Sequence, residues 1–151
     1  MRRQEREVKD QAKIKEIILS CQCCRLGFYD RGEVYIVPLN FGYQEDGEKR
    51  LFYFHGAKAG RKFKLIQQNP KVGFELDANH QLIKAETACK HSACYQSVIG
   101  TGNVRILDRP EEKANALQII MSHNTGRENW EIPLAMLEAV CVFQLEVETL
   151  S

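Results

Sequence analysis

The stretch that decides the fold is LFYFHGAKAGRKFKLIQQNP, residues 51–70. Its first four residues, Leu51–Phe54, are apolar and aromatic, and they have the composition and length of a buried strand. Two glycines, Gly56 and Gly60, then let the backbone turn sharply. The same turn carries three cations within five positions, Lys58, Arg61 and Lys62.

A helix is predicted directly after this turn. Phe63, Leu65 and Ile66 give it an apolar face, and Asn69-Pro70 ends it. Free amide groups and cations therefore meet at a helix start, which is a favourable place for a phosphate group. A solvated basic turn is the alternative, because most charge runs belong to the protein surface.

Length and composition indicate one domain over residues 1–151, since 44% of the residues are hydrophobic. The net charge of +1 does not favour nucleic acid or an anionic membrane as a partner. The charged N-terminus is not followed by an apolar segment, and no run is long enough to span a bilayer, so we expect a cytoplasmic protein. We expect its six cysteines to be reduced.

The N-terminal part predicts one helix and two strands. The helix runs from about Asp10 to Ser20, because isoleucines recur there at helical spacing (Ile14, Ile17 and Ile18). Residues 1–9 are interpreted as a mobile or dimer-contacting arm. Cys21–Tyr29 and Val34–Tyr43 are predicted as strands of a hairpin, and Pro38 places the second at a sheet edge or at a bulge.

Beyond Pro70, strands are predicted over Lys71–Leu76, Tyr95–Leu107 and Ala139–Leu150, with a bend or bulge at Gly100 and Gly102. The segment Asp77–His91 is read as a long excursion with some strand at residues 81–84. A helix should begin at Asp108-Arg109-Pro110, end near Gly126 and bury Ala114, Leu117, Ile120 and Met121. Residues 127–136 are expected to be irregular.

About six or seven strands with two or three inserted helices, without regular βαβ alternation, predict a mainly β fold. The architecture expected from this pattern is a largely antiparallel barrel with peripheral helices.

These residues resemble the pyridoxamine-phosphate-oxidase-like, FMN-binding split β-barrel superfamily, and in particular its nitroimidazole-resistance (Nim-type) branch. The resemblance rests on five strings in order, Val37–Tyr43, Phe54–Lys62, Asn69–Val72, Tyr95–Gly102 and Glu111–Lys113.

The resemblance implies a homodimer with flavin at the subunit interface. The isoalloxazine would lie along Val37, Pro38, Leu39 and Asn40. The ring and ribityl chain would pass close to Phe54, His55, Gly56 and Ala57. The phosphate would be held by Lys58, the Gly60 backbone, Arg61 and Lys62. The other subunit would contribute the strand with Tyr95, Gln96, Ser97 and Val98.

The same resemblance implies a catalytic role for His55 in substrate reduction, because an imidazole can deliver a proton while reduced flavin supplies a hydride. His55 could instead only shape the turn. The implied function is an FMN-dependent (or FAD-dependent) oxidoreductase acting on a small electrophile such as a nitroimidazole. The sequence has no Gly-x-Gly-x-x-Gly dinucleotide-binding fingerprint, so a nicotinamide donor would bind only transiently. The alternative is a flavin carrier or sensor without turnover.

Three further features have competing interpretations. Two clusters of soft ligands, Cys21/Cys23/Cys24 and Cys89/His91/Cys94, could bind zinc. The spacing Cys21-x-Cys23 alternates around a strand start, and we predict no metal site. Buried small residues, or exposed thiols near the flavin, are the preferred interpretation. Trp130 could cover the flavin or could serve packing. His80 and His123 receive no chemical role.

Overall fold

The computed structural model describes residues 4–151. Residues 1–3 of the predicted arm lie outside the described residues, and Gln4–Arg6 form one turn of 3-10 helix. In chain order the main elements are α1 (Gln11–Ser20), β1 (Cys24–Asp30), β2 (Glu33–Leu39), β3 (Gly42–Asp46), β4 (Lys49–Ala57), α2 (Arg61–Gln68), β5 (Lys71–Ile83), a short 3-10 turn (Ala88–Lys90), β6 (Ser92–Ile106), α3 (Pro110–Thr125), α4 (Leu134–Ala139) and β7 (Val140–Leu150).

The seven strands form one antiparallel sheet in the order β2-β1-β5-β6-β7-β4-β3. A flat sheet with six spacings of about 4.8 Å would hold its edges about 29 Å apart. The edge strands β2 and β3 are nevertheless joined only by Asn40 and Phe41, and the path from Leu39 to Gly42 can span at most about 11 Å. The sheet must therefore curl into a barrel, and the predicted mainly β barrel fold is confirmed.

The prediction of one continuous strand over Val34–Tyr43 is wrong, because the chain breaks at Asn40–Phe41. Leu39 pairs with Cys24, the first residue of β1. Beyond Leu39, β1 therefore offers no residue with which β2 could continue its pairing. Phe41 then turns fully into the core. The prediction that Pro38 marks an edge is confirmed, because β2 is an edge strand.

The predicted excursion over Asp77–His91 is partly wrong: the strand expected near residues 81–84 is confirmed to Ile83 and residues 84–91 lie outside the strands, but residues 77–80 continue β5. Strand β5 continues to Ile83 and pairs with β6 from Ser92 onward, with a bulge between Ala78 and Gln81. Most side chains here are exposed on both faces, so the sequence shows no alternation of apolar and polar residues. We call residues 79–95 the β5–β6 extension.

Two apolar clusters stabilise the fold. The larger one fills the barrel and receives α1, whose predicted Ile14, Ile17 and Ile18 are buried, together with α2. The smaller cluster lies between the outer side of β4 and β7 and the helices α3 and α4. No helix in the described part of the chain is both long and apolar enough to cross a bilayer.

Helix α3 buries a partly different face from the predicted one. Leu117 and Ile120 are buried as expected, but Ala116 and Lys113 replace Ala114 and Met121. The Lys113 ammonium group donates to the carbonyl oxygen of Val140 at 2.9 Å and to that of Leu137. These carbonyls end α4, which occupies part of the segment expected to be irregular, so a buried cation stabilises a helix too short to show periodicity.

Gly42 of β3 lies directly against the backbone of α3. A Cβ atom there would lie 2.6 Å from the Ile120 amide nitrogen, and a helix backbone cannot move aside cheaply. We expect Gly42→Ala to lower the free energy of unfolding by about 2–3 kcal/mol, measured by urea denaturation. Gln44→Ala, at an exposed position of the same strand, should change it by less than about 1 kcal/mol. Equal losses in the two variants would contradict this account of the β3–α3 contact.

Candidate functional site

The C-terminal end of β4 and the start of α2 fold against each other. Gly56 pairs with Cys141 of β7, and Lys62 folds back over this pair. A Cβ atom on Gly56 would lie 2.8 Å from the Lys62 Nζ atom, and that atom lies 5.6 Å from the Phe143 ring centroid. Glycine at position 56 therefore makes room for the ammonium group beside the strand.

Helix α2 carries positively charged side chains in its first turn, where the helix dipole disfavours them. Gly60 is its N-cap, with φ 98°, and no side chain among the described residues caps the first turn. That turn carries Arg61 and Lys62 but no acidic residue. Cations at the positive end of a helix dipole are destabilising, whereas an anion is stabilised there by free N–H groups. The local electrostatics thus favour a bound anion.

Arg61 points toward the hairpin of β1 and β2. Its guanidinium lies 2.9 Å from Asp30 and 3.1 Å from Glu33, and it stacks 4.7 Å from the Tyr35 ring centroid. Sequence reasoning missed these two carboxylates as its partners, because the turn at residues 30–33 carries no signal beyond hairpin chemistry. The positive charge of Arg61 is already balanced within the protein.

Lys58 and Lys62 remain without a carboxylate partner among residues 4–151. Burial raises the pKa of the Cys141 thiol, and the charges of Lys113, Lys62 and Lys58 oppose that rise. All three ammonium groups therefore act on the same region of β7. Of the three predicted phosphate cations, Lys62 lies over the Gly56–Cys141 pair, Lys58 directly follows Ala57, which pairs with Val140, and Arg61 is held by carboxylates.

His55 lies on the outer face of β4, paired with Val142, and its side chain is exposed. Desolvation by the surrounding protein lowers the pKa of His55 below its usual 6.5, and the nearby charge of Lys62 lowers it further. The imidazole is therefore mainly neutral at neutral pH. In this state one ring nitrogen can donate a hydrogen bond and the other can accept one.

The link between β2 and β3 brings Asn40 to the same end of the barrel. Gly42 pairs with Tyr53, so the antiparallel chain direction carries Asn40 toward the His55 end of β4. Asn124 of α3 fixes this link: its Oδ1 atom accepts from Asn40 at 3.2 Å, and its amide group donates to the Phe41 carbonyl at 2.9 Å. Asn124 is a site-supporting residue that sequence reasoning missed.

Not every predicted cofactor residue presents its side chain to this site. Val37 and Leu39 are partly buried against the barrel core, whereas Pro38 is exposed. Phe54 is fully buried, so only its backbone could contact a ligand. Ala57 is exposed at the end of β4.

Residues of β6 do not reach this site within one chain. Strand β7 lies between β6 and β4, and its ladder with β6 begins only at Gly100. Val98 is buried in the barrel core, Ser97 lies opposite Asp77, and Tyr95 is 56% exposed. Tyr95 stacks on His80, a residue to which the sequence analysis gave no role.

The remaining candidates have structural roles or lie apart. Cys21 and Cys24 are buried, and burial raises the pKa of Cys21 to about 11. Cys89 and Cys94 are exposed, and no three potential ligands converge on a metal position in the described part of the chain. Trp130 donates from its indole nitrogen to the Arg127 carbonyl at 3.0 Å, and its backbone N–H donates to Gln118 Oε1 at 2.9 Å.

His123 also has a structural role. Its Nε2 atom donates to the Cys21 carbonyl at 2.9 Å, and its ring lies 4.4 Å from that of Phe41. The contact ties α3 to the link between β2 and β3.

Comparisons with solved structures support the barrel assignment. A candidate 5-nitroimidazole antibiotic resistance protein from Bacteroides thetaiotaomicron is 30% identical, with a TM-score of 0.82, over 95% of this chain and 82% of that one. An FAD and heme binding protein from Mycobacterium smegmatis is 13% identical, with a TM-score of 0.78, over 93% and 68% of the two chains. An FAD-binding protein from Mesorhizobium loti is 17% identical, with a TM-score of 0.63, over 93% and 91%.

The two structures of lower identity show the fold alone. No curated protein matches the sequence. The sequence profile of the pyridoxamine 5'-phosphate oxidase family matches residues 10–151, nearly the whole chain. Together with the 30% identical structure, this confirms the resemblance inferred from the motifs. The chain belongs to the pyridoxamine 5'-phosphate oxidase family.

Proposed function

We propose that the protein is a flavin-dependent oxidoreductase that binds FMN at a homodimer interface and reduces a small, flat electrophile of the nitroaromatic class. The observation that carries the proposal is the pair of unbalanced ammonium groups, Lys58 and Lys62, beside an uncapped helix start. The 30% identical protein associated with nitroimidazole resistance supports the substrate class. The FAD-binding structures of the same fold support a flavin as the ligand.

The charge balance at α2 fits a terminal phosphate. A phosphate monoester carries a charge of about −1.5 to −2 at neutral pH. Lys58, Lys62 and the partial positive charge of the helix start nearly match it. Arg61 adds little, because Asp30 and Glu33 already balance it. This match favours the monophosphate of FMN over the pyrophosphate of FAD.

A bare sheet face supports the homodimer. On the outer side of β2, β1, β5 and β6, Gly27 lies beside Gly73, and nothing within residues 4–151 covers the face. Ile36 is 61% exposed there and Ile99 54% exposed. Large exposed apolar side chains grouped on one sheet face are typical of an interface between subunits. A second copy packed on this face would also bring in Tyr95, which one chain does not supply to the site.

Bound flavin would supply the hydride, and the residues of this chain would orient the ligand and move the proton. His55 is suited to the proton step only when its pKa approaches neutrality. An anion beside Lys62 would offset one of the two causes that lower this pKa. Cofactor binding and the acidity of His55 would therefore be coupled through Lys62.

A flavin carrier or sensor is the second candidate function. It is favoured by the exposed position of His55, because the imidazole, although partly desolvated, stays accessible to water within residues 4–151. Such a protein would bind FMN, but its reduced form would not transfer electrons to nitro compounds.

A nicotinamide donor in the enzyme would bind transiently, since the sequence lacks a dinucleotide fingerprint.

The phosphate assignment is tested by the double variant Lys58→Ala/Lys62→Ala. Loss of two charge-assisted contacts should cost about 3 kcal/mol or more, so FMN affinity should fall at least about a hundredfold. Affinity is measured by quenching of flavin fluorescence on titration with apoprotein. Lys64→Ala, an exposed cation of the same helix, is the control and should bind like wild type. Unchanged affinity in the double variant would remove the phosphate site from α2.

The coupling of Lys62 to His55 is tested without cofactor. Lys62→Met removes a positive charge that disfavours the imidazolium, so the pKa of His55 should rise toward 6.5. It should stay below that value, because desolvation of the ring remains. The pKa is read from an NMR titration of the histidine ring protons, assigned with His55→Gln. Lys64→Met should leave it unchanged, and an unchanged pKa in Lys62→Met would reject the coupling.

The catalytic role of His55 is tested with His55→Gln in FMN-loaded protein. General acid catalysis is typically worth about 10²–10⁴-fold, so reduction of a 5-nitroimidazole by the prereduced protein should slow by at least about a hundredfold. Stopped-flow reoxidation of the flavin measures this step directly. FMN affinity should change little, because the phosphate contacts remain. If the flavin of His55→Gln were reoxidised as fast as that of the wild type, His55 would be a residue that only shapes the turn.

A further inference from the structure

The β5–β6 extension contains an aromatic pair outside the core. The rings of His80 and Tyr95 stack with centroids 5.1 Å apart and planes 12° from parallel. Tyr95 is more than half exposed and His80 is also exposed, so the stack contributes little to the fold. One face of the Tyr95 ring is covered by the imidazole.

The β-bulge explains why these two rings meet. In a regular strand, Asp77 and residue 80 would point to opposite faces, because their separation is odd. The bulge inserts one extra residue into β5. Ala78 pairs with Gln96 and Gln81 pairs with Cys94, so three steps along β5 correspond to two steps along β6. His80 is thereby turned to the face of Asp77.

Asn79 stabilises the bulge. Its φ of 59° lies in the left-handed region, which asparagine tolerates better than most residues. Its side-chain amide donates to Gln96 Oε1 at 2.7 Å. The irregular backbone is thus held from within the extension.

A carboxylate fixes the imidazole in turn. His80 Nε2 lies 2.8 Å from Asp77 Oδ2. Arg25 binds the other oxygen of Asp77 and also Glu75, at 2.9 Å. Although desolvation opposes the effect, the hydrogen bonds from His80 and Arg25 lower the pKa of Asp77. The carboxylate stays charged, so the chain of contacts runs from the sheet through Asp77 and His80 to Tyr95.

We propose that Asp77 and His80 are positioning residues that hold the Tyr95 ring against the flavin of the partner subunit. This inference rests on the proposed function, because it takes Tyr95 to contact flavin across the dimer. Tyr95 lies on the same side of the sheet as the bare face, since Ser97, two residues along β6, pairs with Asp77. An aromatic ring held in advance loses less rotational freedom when a flat ligand ring stacks on it.

The experiment is a double-mutant cycle of FMN binding in the full-length protein. His80→Ala should weaken FMN binding about three- to tenfold, the size of one lost aromatic contact. Tyr95→Ala should weaken it by at least as much. His80→Ala made in the Tyr95→Ala background should then have no further effect, because His80 acts only through Tyr95.

Two variants provide matched controls. His80→Phe keeps a ring over Tyr95 and should restore affinity to within about twofold of wild type, together with the visible circular dichroism of the bound flavin. His91→Ala removes an exposed imidazole of the connecting turn, whose ring bonds to the Thr87 carbonyl, and should bind FMN like wild type.

The outcomes separate this inference from the proposed function. Additive losses in the cycle, or equal affinities of His80→Ala and His91→Ala, would overturn the positioning role while flavin binding stands. Wild-type protein that takes up no FMN would overturn the proposed function and the positioning role together.

Discussion

The two-residue link between β2 and β3 is the constraint on which the rest of the structure depends. Consecutive strands at opposite edges of a seven-stranded sheet can be joined so briefly only if the sheet curls. The link must also pass over the end of the barrel, where the buried Phe41 ring anchors it and α3 holds it through Asn124. Closure of the barrel and placement of Asn40 near the His55 end of β4 are thus two results of one connection.

Electrostatics at the start of α2 determine what that end of the barrel can bind. Two cations in the first turn oppose the helix dipole, which is costly unless negative charge is supplied. The protein supplies it for Arg61 through Asp30 and Glu33, but within residues 4–151 it supplies none for Lys62. Beside desolvation, the unbalanced ammonium group lowers the pKa of His55, so charge at the helix start and the protonation of His55 are linked.

The distribution of helices gives the sheet two different faces. Helices α3 and α4 cover the outer side of β4 and β7, while the outer side of β2, β1, β5 and β6 carries exposed Ile36 and Ile99 around two glycines. The β5–β6 extension continues the bare side and turns His80 onto Tyr95 by means of one bulged residue. This side of the sheet therefore combines exposed apolar side chains with the ion pairs of Arg25 and an ordered aromatic pair.

The sequence by itself determined the elements that depend on neighbouring residues. The strand and helix of residues 51–70, the edge position of Pro38, the bulge at Gly102 and the start of α3 at Pro110 follow from periodicity and from proline and glycine chemistry. Only the tertiary structure decided the break at Asn40–Phe41, the carboxylate partners of Arg61 and the stack of His80 on Tyr95. These features depend on contacts between residues far apart in the chain, and such contacts leave no local pattern to read.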